Sequence, residues 1–152
     1  MSDEQKSDGA VEPTRLDDAH FIAQYRDKLS ESTLRAKWIL SLDEHEDRLG
    51  QTLATRSHEV IRAWADERNG IPATIMRGEP DDGPVLLDLD FPGYDEEDLQ
   101  HIDWDDWFEQ FDQQDLVFVY QEHKTDGDLS NFFHFDGPLG LQEERNNAES
   151  LS

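Results

Sequence analysis

The chain has 152 residues, a net charge of −24 and no cysteine, with 35% hydrophobic and 33% charged residues. That length suits one domain with a real core plus tails. The charge argues against phosphate binding through a basic patch and against docking on an anionic membrane, and the missing thiols exclude disulfides, cysteine nucleophiles and thiolate metal sites. No apolar run approaches the roughly 20 residues that span a bilayer, and Met1–Ala10 has no signal-peptide character, so a cytoplasmic location is expected.

The charge is uneven. Gly78 to His123 holds sixteen acidic residues and no Lys or Arg, while ten of the thirteen basic residues lie at or before Arg68. Such an acidic surface fits a host with high internal salt or a basic partner.

In chain order, 1–14 and 138–152 read as disordered tails. Residues 15–50 read as a helical N-terminal extension. Ile22, Tyr25 and Leu29 recur at helical spacing behind a cap at Asp17 or Asp18. Leu34, Trp38, Ile39 and Leu42 make a short apolar patch, either a second helix or an irregular arm.

Residues 51–137 read as the core domain. TRSHEVIRAWADERNGIP is its clearest helix, capped by Ser57 or Thr55, with Val60, Ile61, Trp64 and Ala65 on one face. Gly70 is expected to take the left-handed C-terminal position. PATIMR and VLLDLDF read as a hairpin, with Asp88 and Asp90 on its wet face. PGYDEEDLQH reads as a loop. Asp103 is a good N-cap for WDDWFEQF, where Trp104, Trp107, Phe108 and Phe111 follow i, i+3, i+4, i+7. LVFVYQEH and LSNFFHF read as a second hairpin around a two-residue Asp126-Gly127 turn, which sets Lys124 opposite Leu129 and Tyr120 opposite Phe133. The class is α+β: N-terminal helices, then helix–hairpin–helix–hairpin, with a small mainly antiparallel sheet.

Motifs that carry chemistry are scarce. Asp88, Asp90 and Gly93 resemble the start of a calcium loop, but Pro92 and Leu99 stand where the EF-hand needs oxygen ligands. The six histidines share no metal-ligand spacing, and His45, in Glu44-His45-Glu46-Asp47, is imaginable in a hard-metal site but reads more simply as part of a solvated charged turn. Ser57-His58-Glu59 lacks a nucleophile elbow. A glycosidase pair could be drawn from Asp103, Asp105, Asp106 and Glu109, but a capped helix with wet acids explains them more simply. No catalytic residue, metal ligand or cofactor is assigned.

Ser57-His58-Glu59-Val60-Ile61, Trp64-Ala65, Gly70, Pro72-Ala73, Asp90-Phe91, Ile102-Asp103-Trp104-Asp105, Phe108, Phe111, Tyr120-Gln121-Glu122 and Asp126-Gly127 together carry a resemblance. From Gln51 to Phe135 the chain resembles a family of small bacterial proteins without an established function. Some of them are labelled 1,4-alpha-glucan branching enzyme. That activity belongs to a barrel of typically about 250 residues. The resemblance therefore implies a fold unit and no catalytic residue.

The expected function is that of a small acidic accessory protein, without catalysis of its own, meeting a protein partner that has a basic surface. The expected contact surface is Asp88, Asp90, Tyr94, Asp95, Glu96, Glu97, Asp105, Asp106 and Glu109. Two alternatives stand beside it: a DNA-mimicking inhibitor of a basic nucleic-acid-binding protein, and a carbohydrate-active protein. The sequence leaves the oligomeric state open.

Overall fold

The computed structural model describes residues 14–75, 85–93 and 99–138. Residues 1–13, 76–84, 94–98 and 139–152 lie outside the described residues, and with them most of both expected tails and the end of the PATIMR segment.

Among the described residues there are four helices and two small sheets. The helices are α1 (Arg15–Tyr25), α2 (Glu31–Arg35), α3 (His58–Glu67) and α4 (Trp104–Gln113). The strands are β1 (Lys37–Trp38), β2 (Leu53–Thr55), β3 (Ile71–Ile75), β4 (Leu87–Asp90), β5 (Leu99–His101), β6 (Val117–Tyr120) and β7 (Phe133–Asp136). One sheet has the order β1-β2-β6-β7 and the other β4-β3-β5. Among the described strand pairs, only β1–β2 is parallel. The fold is the expected α+β class. None of these helices is long and apolar enough to cross a membrane.

The four-stranded sheet is buried on both faces, and strand alternation divides its side chains between two cores. Phe118 and Tyr120 of β6 and Leu53 of β2 face the main core with Ile61, Trp64, Trp107, Phe111 and Phe135. Val117 and Val119 of β6 and Ala54 of β2 face a second core with Phe21 and Leu29. That is why VFVY is an unbroken apolar run: a strand covered on both sides has no wet face. The N-terminal arm supplies the second cover. Its Trp38 packs on the outer core, and the neighbouring Ile39 enters the main one.

Several local expectations are corrected. Thr14, not Asp17 or Asp18, caps α1. Its side chain accepts from the Asp17 amide while the Asp17 carboxylate accepts from the Thr14 amide, forming a capping box. The inward face of α1 is then Asp18 and Phe21. The left-handed residue after α3 is Asn69 (φ 60°), not Gly70. The amides of Asn69 and Gly70 donate to Asp66 O and Ala65 O, a Schellman ending that Asn tolerates. Gly70 is required for another reason: a Cβ there would stand 2.9 Å from the Phe91 ring. Leu99–His101, expected in a loop, forms β5 against β3. Asp88, expected on the wet face, is buried at 7% exposure, and its carboxylate accepts from the Leu89 amide.

The β6–β7 hairpin keeps Tyr120 opposite Phe133 as expected, but its tip differs. Gly127 N donates to Lys124 O and Lys124 N to Asp128 O, so Thr125 and Asp126 centre the turn and Gly127 (φ 95°) takes the left-handed place. His123 therefore faces Leu129, one step from the expected register. The step is taken up at Ser130–Phe132, where Ser130 N donates to Glu122 O and Gln121 N to Phe132 O.

Arg68 lies beside this irregularity, buried at 5% exposure. Its Nε donates to Ser130 O, Nη1 to Trp64 O (2.9 Å) and Nη2 to Glu122 O (2.8 Å), and its guanidinium lies 4.3 Å over the Trp64 ring.

Asp18 gives the fold a pH dependence. Burial pushes its carboxyl up to about 6, against the pull of Arg56, and its Oδ2 has no hydrogen-bond partner among the described residues. A folded value above the unfolded one means that the charged form costs stability above about pH 6, and that this cost disappears as the pH falls towards 4. Asp18→Asn is expected to stabilise the protein at pH 7.5 by up to about 3 kcal/mol, with the gain vanishing near pH 4. Urea denaturation of both proteins at the two pH values checks this; an equal difference at both would contradict it.

Candidate functional site

Two places merit a functional reading. The first is the outer face of α4. Trp107, Phe108 and Phe111 are buried, and Trp104 packs against them, so the aromatic stripe seats the helix. Trp107 Nε1 donates to Asp88 O (3.0 Å), and Gln114 Nε2 to Val85 O (2.8 Å), tying the helix to the β4 segment. Asp103, Asp105, Asp106, Glu109 and Asp112 all face outward and are exposed. Among the described residues, no Lys or Arg pairs with any of these five; Asp112 instead meets His58 Nε2 at 3.0 Å.

The structure separates the expected surface residues. Asp105, Asp106 and Glu109 share one exposed face. Asp90 is half-buried, with its Oδ2 2.7 Å from His101 Nε2. Asp88 is buried and cannot present its carboxylate. Tyr94, Asp95, Glu96 and Glu97 lie outside the described residues. Asp103 occupies the N-cap position, but its side chain makes no cap hydrogen bond.

The second place gathers residues that the sequence shows only in part, as the Glu44-His45-Glu46-Asp47 run. The loop after β1 folds back onto the end of β6 and brings Glu44-His45-Glu46 beside Glu122-His123. His123 Nδ1 lies 2.6 Å from Glu46 Oε2, and His45 Nδ1 lies 2.9 Å from Glu122 Oε2. The Glu46 amide donates to Glu122 Oε1 (3.3 Å). The turn expected to be solvated is only partly so: His45 is 64% exposed, but the Glu46 side chain is 11% exposed.

Several bonds hold this loop. Lys37 Nζ reaches His45 O (2.8 Å) and Asp47 Oδ1 (3.0 Å), and Leu40 N donates to Glu44 Oε1 (3.0 Å). The Leu40 amide and Arg15 together hold the Glu44 carboxyl below its usual range. Gly50 (φ 79°) donates to His123 O, and a Cβ there would collide with Thr125.

His45, Glu122 and His123 line a cleft of about 220 Å³ that is also walled by Trp64, Arg68 and Tyr120. Burial raises the Tyr120 phenol well above its ordinary value, so it stays protonated. The only signals of this site in the sequence were the EHED run and a histidine after β6. The separation of 76 positions between Glu46 and Glu122 hid their meeting.

Comparison with known proteins finds no matching family model, curated protein or solved structure. The functional reading therefore rests on the chain's own chemistry.

The role of Asp103 can be tested against Ser57, whose side chain accepts from the Val60 amide and caps α3. Asp103→Ala is expected to cost less than about 0.5 kcal/mol, and Ser57→Ala about 1–2 kcal/mol. Thermal unfolding monitored by circular dichroism measures both. A cost at Asp103 as large as at Ser57 would show a working cap.

Proposed function

We propose that the chain is a small cytoplasmic accessory protein that binds a basic protein surface through the carboxylate face of α4 and carries out no catalysis of its own. The observation behind this reading is the division of α4. Its aromatics are spent on the core, while five carboxylates stand outward without a lysine or arginine partner among the described residues. A helix seated by Trp107, Phe108 and Phe111 presents those charges in fixed positions, so a partner gains electrostatic attraction without having to order them.

Asp105, Glu109 and Asp112 follow i, i+4, i+7 along one side. Asp105 and Glu109 are separated by about 6 Å of helix rise. A row of this kind also suits a basic groove that otherwise holds nucleic acid, in which case DNA would compete with this chain. A sugar-processing role has less support: the cleft beside Arg68 is lined by none of Asp103, Asp105, Asp106 or Glu109.

The test compares wild type with the triple variant Asp105→Asn, Asp106→Asn, Glu109→Gln in affinity capture from the native host at its own salt level. The reading predicts one dominant basic partner, released as salt is raised and bound at least tenfold more weakly by the variant. Capture that is indifferent to both salt and the three substitutions would contradict it, as would a blank. Added duplex DNA separates the mimic, whose partner it displaces, from an ordinary interaction protein.

A further inference from the structure

We propose that Glu46, Glu122 and His123, with His45 alongside, form a binding site for one divalent first-row transition metal ion of the Zn²⁺ class. Glu46, Glu122 and His123 each offer a ligand atom, and these atoms lie within 4.8 Å of one another. A metal about 2.0–2.2 Å from nitrogen and oxygen ligands would set neighbouring ligand atoms about 3–3.5 Å apart. The contacts of 2.6 Å and 2.9 Å between the two His–Glu pairs need only small side-chain movements to reach that spacing.

A second observation points to a ligand. Glu46 Oε1 is shut off from solvent and has no hydrogen-bond partner among the described residues, in a side chain that is only 11% exposed. A carboxylate oxygen in that position costs free energy unless something positive meets it. No lysine or arginine pairs with Glu46 among the described residues, and its carboxylate meets the His123 ring at Nδ1. A cation between Glu46, Glu122 and His123 would satisfy the carboxylate and draw on the imidazole nitrogen as well.

The donor set chooses the metal. One or two imidazoles with two carboxylates suit Zn²⁺, Mn²⁺, Co²⁺ or Ni²⁺ better than Mg²⁺ or Ca²⁺, which prefer oxygen alone. The groups around the ligands are already fixed. Lys37 holds the loop carbonyl at His45, Gly50 holds the His123 carbonyl, and Arg68 holds the Glu122 carbonyl. Such outer contacts position ligands before the ion arrives. The cleft lined by His45, Glu122 and His123 gives the ion its way in and leaves room for water to complete its coordination.

The experiment is calorimetric titration of Zn²⁺, and separately Mg²⁺, into the EDTA-treated full chain at about 0.3 M salt, where diffuse attraction to the acidic surface is screened. The expected result is one Zn²⁺ per chain, with Mg²⁺ at least a hundredfold weaker. Glu46→Gln and His123→Gln should each weaken Zn²⁺ at least tenfold, while Glu109→Gln and His101→Gln leave it unchanged. Glu122→Gln serves as an isosteric third variant if either of the first two fails to fold by circular dichroism. Co²⁺ should show ligand-field absorption in wild type that is lost in the cluster variants. Absent binding, equal affinity for Mg²⁺, several weak Zn²⁺ per chain, or affinity indifferent to the cluster substitutions would each overturn the proposal.

Discussion

The arrangement of this protein depends on one buried cation. Arg68, the C-cap residue of α3, is buried and donates to the carbonyls of Trp64, Glu122 and Ser130. Glu67 offers it a carboxylate, but that side chain is 64% exposed, so the carbonyls do most of the work of replacing water. A planar fork can bond several carbonyls at fixed angles, which a lysine cannot do. The Glu122 and Ser130 carbonyls belong to the two arms of the β6–β7 hairpin at the point where its register steps by one residue, and the Trp64 carbonyl belongs to α3 itself. The guanidinium thus occupies the place where the ladder is irregular, and it fixes where Glu122 and His123 emerge towards the loop that carries Glu46.

Around this clamp, the sheet with β6 at its heart is enclosed on both sides. α3, α4 and the β4-β3-β5 sheet contribute to the core on one face, and the N-terminal arm covers the other. Arg56 secures that cover. It lies 4.3 Å over the Phe21 ring and donates to Leu116 O, while its ion-pair partner Asp115 accepts from Tyr25 OH. Covering the sheet consumes most of the chain's large apolar side chains. That packing turns the α4 carboxylates outward and brings Glu46 and Glu122 together at the end of β6, so the two candidate sites are consequences of the same packing.

Much of this was legible in the sequence wherever periodicity is strong. The stripes of α3 and α4 and the apolar run of β6 identify themselves because each repeats a single spacing over ten residues or fewer. What escaped was non-local or very short. β2 has three residues, and β1 pairs with it in parallel, across the loop that carries Glu46. β5 reads as polar because its side chains are half-buried or exposed and only its backbone pairs with β3. Asp88 follows the alternation of a wet position, yet its carboxylate is turned onto the Leu89 amide and shielded. Gly70 was rightly singled out for the wrong reason: the constraint is the Phe91 ring, and Asn69 supplies the left-handed turn. The His–Glu cluster joins residues too far apart for any motif to link them.

The central claim is that Arg68 is held rigidly by the hairpin carbonyls. The most direct measurement is proton exchange at its Nε–H, observed by nitrogen-15 NMR at pH 7. The account predicts a resolved, slowly exchanging resonance, protected on the order of a thousandfold relative to a free arginine, because the donor is buried and bonded to Ser130 O. Exchange as fast as that of a solvent-exposed arginine would contradict the clamp, and with it the placement of Glu122 and His123.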